Sequence, residues 1–285
     1  MTATPAAAAD GPRVLVRAPY YLALHPAEHP ARGTVLLVHG GGWHGGLGSA
    51  ADELMDPTIE ALQDWGYDVA NLGYRGGSPG LRDAGNAFAR LRGRLGENET
   101  ICIYGASAGA QLGLMVAAER SDVDCVVDLL GPPDLEEFGA KARSQAGERL
   151  AREAFGADRL AELSPVNNAD RISAPVLIGA APCDAYIRLA DQRELARRLA
   201  LSNRESRLEV IATGDDLDLE HCLVEEESFD RFQEATRRFL NDLAPAPPAA
   251  DPAPADDGSE APWAVLVGGL VLVVGGVLLV RALRH

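Results

Sequence analysis

Ser107 stands at the centre of Gly105-Ala106-Ser107-Ala108-Gly109, between an apolar run, Ile101-Cys102-Ile103-Tyr104, and a helix-forming run from Gln111 to Ala118. Small residues on both sides let the chain bend sharply from strand to helix. That bend lifts the hydroxyl to where a base and a substrate can both reach it. A serine at such a turn otherwise only caps the helix that follows. The hydroxyl is a weak nucleophile at neutral pH, so attack on a carbonyl needs a partner to take its proton.

In this strand-turn-helix arrangement the partners follow in the order serine, acid, histidine. Of the six histidines only His221 and His285 come after Ser107, and His285 is the last residue, beyond a long apolar segment. His221 is therefore the base. It follows a strand-like run, Leu208 to Ala212, and an acidic loop, Thr213 to Glu220. The acid is expected at Asp184, just after the apolar run Pro175 to Ala180, where it would orient His221 and stabilise its charged form. Asp134, after the strand-like run Val123 to Leu130, is the alternative. The oxyanion formed on attack needs N–H donors. Ala108, next to the nucleophile, supplies one. Gly41 and Gly42 supply the others from His39-Gly40-Gly41-Gly42-Trp43, which directly follows the strand-like Thr34 to Val38. His39 is then an anchor for that loop.

With HGGGW and GASAG in place, the chain resembles the α/β-hydrolases of the HGGG-type esterase/lipase group. It lies near the small carboxylesterases, acetylesterases and kynurenine-formamidase-like enzymes. Gly73-Tyr74-Arg75 and Ser164-Pro165-Val166 fit the same pattern, and the resemblance runs from Arg13 to Leu243. Two departures stand out: Ala110 replaces a second glycine after the elbow, and Asp184 lies in Pro182-Cys183-Asp184-Ala185-Tyr186. The resemblance implies an α/β-hydrolase fold: a mostly parallel central sheet, helices on both faces and a small helical cap. It implies hydrolysis of small carboxylic esters through a Ser-His-Asp triad and an acyl-enzyme, with no cofactor. An amidase or formamidase on the same triad is the alternative. So is an inactive hydrolase fold used as a binding module.

Strand-like and helix-like runs alternate over residues 1–243, the pattern of one domain built on a parallel sheet. The formal charge of −16 repels a phosphate backbone and argues against nucleic-acid binding. No cluster has metal-ligand spacing, and oligomeric state is not readable. Cys102 and Cys125 fall in strand-like runs and are expected as small buried apolar residues. Cys183 and Cys222 flank the expected acid and base, so a disulfide between them is an open alternative that would imply an oxidising compartment.

Residues 134–163, with Leu135, Phe138, Leu150, Phe155 and Leu160, suit a short cap over the site. Its shortness favours small esters over long-chain lipids. Residues 244–260 are proline, alanine and acid, a linker composition. From Trp263 to Val280 the chain is uncharged and apolar. As a helix it would span roughly 27 Å, near the thickness of a bilayer core. The expectation is a C-terminal transmembrane helix at 261–281, anchoring the enzyme to a membrane. Arg281 and Arg284 after the span would set the enzyme outside. The absence of an apolar signal in Met1 to Asp10 sets it on the cytoplasmic face, which is the expected placement.

Overall fold

The computed structural model describes residues 12–27, 31–46, 50–138, 146–202, 205–211 and 226–243. Eight strands make one sheet: β1 (Arg13–Val16), β2 (Tyr21–His25), β3 (Thr34–Val38), β4 (Asp68–Gly73), β5 (Ile101–Ala106), β6 (Cys125–Leu129), β7 (Val176–Ala180) and β8 (Arg207–Val210). Their order across the sheet is β1-β2-β4-β3-β5-β6-β7-β8. β2 is antiparallel to both neighbours, and from β4 to β8 all pairs are parallel. The mostly parallel α/β sheet read from the sequence is therefore present.

Residue type explains the layering. β3 (TVLLV), β6 (CVVDL) and β7 (VLIGA) are buried along their whole length, as parallel strands covered on both faces must be. Edge strands β1 and β8 stay partly exposed, and β8 (RLEV) alternates charged with apolar residues. The helices are α1 (Ala50–Asp64), α2 (Ser78–Leu95), α3 (Ala108–Glu119), α4 (Ala146–Phe155), α5 (Leu189–Ser202) and α6 (Glu226–Leu243). Successive residues of β5 show the two covers. Tyr104 meets Phe232 of α6 and hydrogen-bonds Thr58 of α1. Ile103 points the other way, against Gly113 of α3. α2 buries Ala84, Ala87, Phe88 and Leu91 along one helical stripe. In α3 all residues but Glu119 are buried.

Two expectations are corrected. Among the described residues no helix is long and apolar enough to cross a membrane. Over the described residues the fold is the α/β sheet with its helices and no transmembrane helix among them; residues 261–281 lie outside the described part. Cys102 and Cys125 are not separate apolar residues but a disulfide. They are register partners on adjacent strands β5 and β6, with Cα atoms 4.6 Å apart, a separation within the range a disulfide bridges.

Candidate active site

The C-terminal ends of β3, β5 and β7 carry the predicted site residues to one edge of the sheet, where ligands bind in open α/β sheets. Ser107 is the apex between β5 and α3, with φ 50° and ψ −120°. Left-handed φ is uncommon and costly for a non-glycine residue. Here it is held from three directions. The Ser107 N–H donates to the Leu129 carbonyl of β6 at 2.8 Å, and the Ser107 carbonyl accepts from Ala110 and Gln111. Close packing does the rest: a Cβ on Gly109 would lie 2.1 Å from the Val38 carbonyl oxygen. Only glycine lets α3 approach β3 so nearly. The Ser107 side chain makes no capping hydrogen bond to α3, so the helix-cap reading of this serine does not hold.

Gly41 and Gly42 follow β3 with φ 104° and 58°, left-handed values that glycine adopts without strain. With Ser107 and Ala108 they line one cavity of about 350 Å³, whose other walls are Trp43, His44, Phe138, Leu150 and Tyr186. The structure thus brings together Ser107 and all three expected oxyanion donors. Ala108 is the first residue of α3, so the helix dipole adds positive potential at the same place.

The glycine loop is tied down by its neighbours. Tyr74 Oη donates to the carbonyls of His39 (3.0 Å) and Gly40 (3.3 Å). Its ring stacks on His39 with centroids 4.4 Å apart. Burial raises the Tyr74 pKa, which keeps the phenol a donor. His39 Nδ1 hydrogen-bonds the Gly40 carbonyl at 2.7 Å, and burial outweighs its backbone contacts to lower the His39 pKa. His39 is thus held against the loop by its own hydrogen bond and by the Tyr74 ring. Arg75 donates to buried Asp83 from Nε, Nη2 and its backbone N–H. Trp43 Nε1 donates to Gln111 Oε1 at 3.0 Å, and Gln111 Nε2 donates to the Leu163 carbonyl.

Asp184 is buried on the loop after β7, and its Oδ1 accepts the N–H groups of Tyr186 (2.7 Å) and Ile187 (2.9 Å). Cys183 beside it is disulfide-bonded. Asp134, the alternative acid, is partly exposed and closes a turn by accepting from Glu136 and Glu137. His221 and Cys222 lie outside the described residues. Asp128 was missed by the sequence reading because it sits within an apolar run. It is fully buried in β6, its Oδ1 accepts from Gly131, and burial pushes its pKa up to about 7. Tyr186 and His44 were likewise not singled out as cavity walls, since only the folded loops bring them to Ser107. Among the described residues no group of His, Cys, Asp and Glu is arranged to hold a metal ion.

No protein-family model matches the chain. It is 25% identical over 202 residues to dipeptidyl aminopeptidase BIII of Pseudoxanthomonas mexicana, covering 59% of this chain and 28% of that protein. The chain thus spans little over a quarter of that curated relative. Among solved structures, esterase 2 of Thermogutta terrifontis, phosphonylated by sarin, superposes with a TM-score of 0.64 at 19% identity, covering 84% of this chain and 98% of that one. An esterase of Pyrococcus furiosus gives 0.60 at 18% identity, covering 82% and 90%. A puromycin hydrolase gives 0.68 at 16% identity, covering 81% and 39%.

Proposed function

We propose, from the α/β-hydrolase fold that this chain has, a hydrolase of small carboxylic esters acting through Ser107, His221 and Asp184. One observation carries the reading: Ser107 is held at left-handed φ, does not cap α3, and opens into the same cavity as Gly41, Gly42 and Ala108. A strained serine is expected where the strain serves a reaction.

In this reading Ser107 Oγ bonds to the acyl carbon while His221 takes the hydroxyl proton. The carbonyl oxygen becomes an oxyanion facing the N–H groups of Gly41, Gly42 and Ala108. Collapse breaks the ester bond, and His221 returns the proton to the departing alcohol. Water, activated by His221, then hydrolyses the acyl-enzyme. Asp184 fixes the His221 tautomer; its own carboxylate is fixed by the Tyr186 and Ile187 N–H groups. The pattern of esterases among the fold neighbours supports ester substrates. The peptidase relative and the puromycin hydrolase favour amide cleavage as the second reading. The Cys102–Cys125 disulfide favours an oxidising compartment, against the cytoplasmic placement expected from the start of the chain.

The test is hydrolysis of p-nitrophenyl acetate and of a matched p-nitroanilide by the wild type and by Ser107→Ala, with fluorophosphonate labelling. Ester turnover that falls at least about 10³-fold in the variant, with label on Ser107, is expected. Turnover of the anilide alone would move the assignment to an amidase. A folded protein that neither turns over nor labels would overturn the hydrolase reading.

A further inference from the structure

A second cavity adjoins the first and is absent from the mechanism above. It has nearly the same volume, about 340 Å³, and shares Gly42, Trp43, His44 and Leu150 with it. Its own lining is different in kind. Gly76 and Gly77 come from the turn before α2, Ser78 and Pro79 from its first turn, and Glu153 and Ala154 from the last turn of α4. Leu150 is one of the four residues at the sill between the cavities. The δ-carbons of Leu150 lie 3.3 and 3.4 Å from where a Cβ on Gly42 would stand.

Sheet order says which part of a substrate would cross that sill. Asp184 follows β7, on one side of Ser107, whereas the second cavity is built on the loops after β3 and β4, on the other. The leaving oxygen must meet the base that Asp184 serves, so it faces the β7 side. The acyl group then runs the opposite way, past Gly42 and over Leu150.

The far end of that path is polar. Glu153 presents a carboxylate that is 59% exposed, and its ion pair with Arg149 is loose at 3.8 Å with both side chains in solvent. Ser78 Oγ accepts from Arg159 at 3.2 Å, which leaves its own proton to donate. A carboxylate accepts hydrogen bonds and attracts positive charge. Hence we propose, resting on the hydrolase reading, that the second cavity is a subsite for the far end of the acyl group. That end carries a hydrogen-bond donor, a hydroxyl or an ammonium, which Glu153 receives. Leu150 sets the passage: acyl groups too short to cross it use the first cavity alone. An acyl group ending in a carboxylate is disfavoured by Glu153 and by the net charge of −16.

The experiment compares kcat/KM of the full chain on p-nitrophenyl acetate, hexanoate, 6-hydroxyhexanoate, 6-aminohexanoate and the adipate half-ester. The wild type should prefer a donor-ended hexanoate over hexanoate by about tenfold, with the adipate half-ester poorest. Glu153→Gln separates the two donors. It removes most of an ammonium preference but keeps most of a hydroxyl preference, since an amide oxygen still accepts. Leu150→Trp, closing the sill, should lower every hexanoate relative to acetate by about tenfold or more. Hexanoate ranking level with or above both donor-ended esters overturns the subsite while leaving the esterase intact. A donor preference unmoved by both substitutions also overturns it. Absence of turnover on acetate and on all hexanoates overturns the hydrolase reading and the subsite with it.

Discussion

Each side of Ser107 buries a carboxyl group: Asp83, behind the loops after β3 and β4, is matched to Arg75, whereas Asp128, in β6, keeps one oxygen unmatched. On the first side Tyr74 holds the His39 and Gly40 carbonyls, Arg75 holds Asp83, and Gln111 holds Trp43, three separate links around the glycine loop. Across the sheet, Asp128 Oδ2 and Gln192 Oε1 are buried with no hydrogen-bond partner among the described residues. Yet the same two side chains hold the Gly131 N–H and carbonyl through their other polar atoms. The first side holds the backbone of the glycine loop in place. The second keeps a carboxyl so far from water that its neutral form is favoured, at a cost in stability once it ionises.

The largest predicted effect is on the unmatched side. Burial raises Asp128 from 3.8 to about 7. The native state thus binds a proton more tightly than the unfolded one. The stabilising contribution is complete below the unfolded value and is lost as pH rises through about 7. Asp128→Asn keeps the Oδ1 acceptor for Gly131 and cannot ionise. It should raise Tm at pH 8, by up to about 4 kcal/mol in stability, and the gain should vanish near pH 4. A gain independent of pH would show that ionisation of Asp128 is not its source.

Next comes the covalent seam between the two sides. Cys102 and Cys125 close a loop of sequence separation 23 between β5 and β6, which restricts the unfolded chain by about 3 kcal/mol. The double substitution Cys102→Ala/Cys125→Ala should lower Tm accordingly. Thiol titration of the unfolded, unreduced wild type should find neither thiol free; free thiols at both positions would remove the seam.

The smallest effect sharpens the contrast on the matched side. Tyr74→Phe removes the hydroxyl that donates to the His39 and Gly40 carbonyls but keeps the stacked ring. The glycine N–H groups then lose alignment, a loss that in the proposed reaction is felt mainly where charge develops in the transition state. So kcat should fall about tenfold with KM little changed. A rise in KM alone would place Tyr74 in substrate binding instead.

The parts legible in the sequence were those whose chemistry is local. Left-handed φ at Gly41 and Gly42, the tight elbow at Ser107 and the bare approach at Gly109 each demand small residues at fixed offsets. HGGGW and GASAG therefore announced them. Buried parallel strands announced themselves as unbroken apolar runs. The cysteine pairing failed for the opposite reason. Cys102 and Cys125 become partners only when β5 and β6 align in register, and two apolar strands carry no mark of that alignment. Asp128 hid inside such a run, where its neighbours said strand and nothing said proton.

The sequence by itself determined the sharp turn at Ser107, the glycine loop and the sheet, because backbone sterics and hydrophobic periodicity act over a few residues. Only the tertiary structure decided that Leu150 lines two adjoining cavities, that Gln111 holds Trp43, and that Asp128 is shut away from water. Those facts depend on distances between residues far apart in the chain, and packing, not local preference, sets such distances.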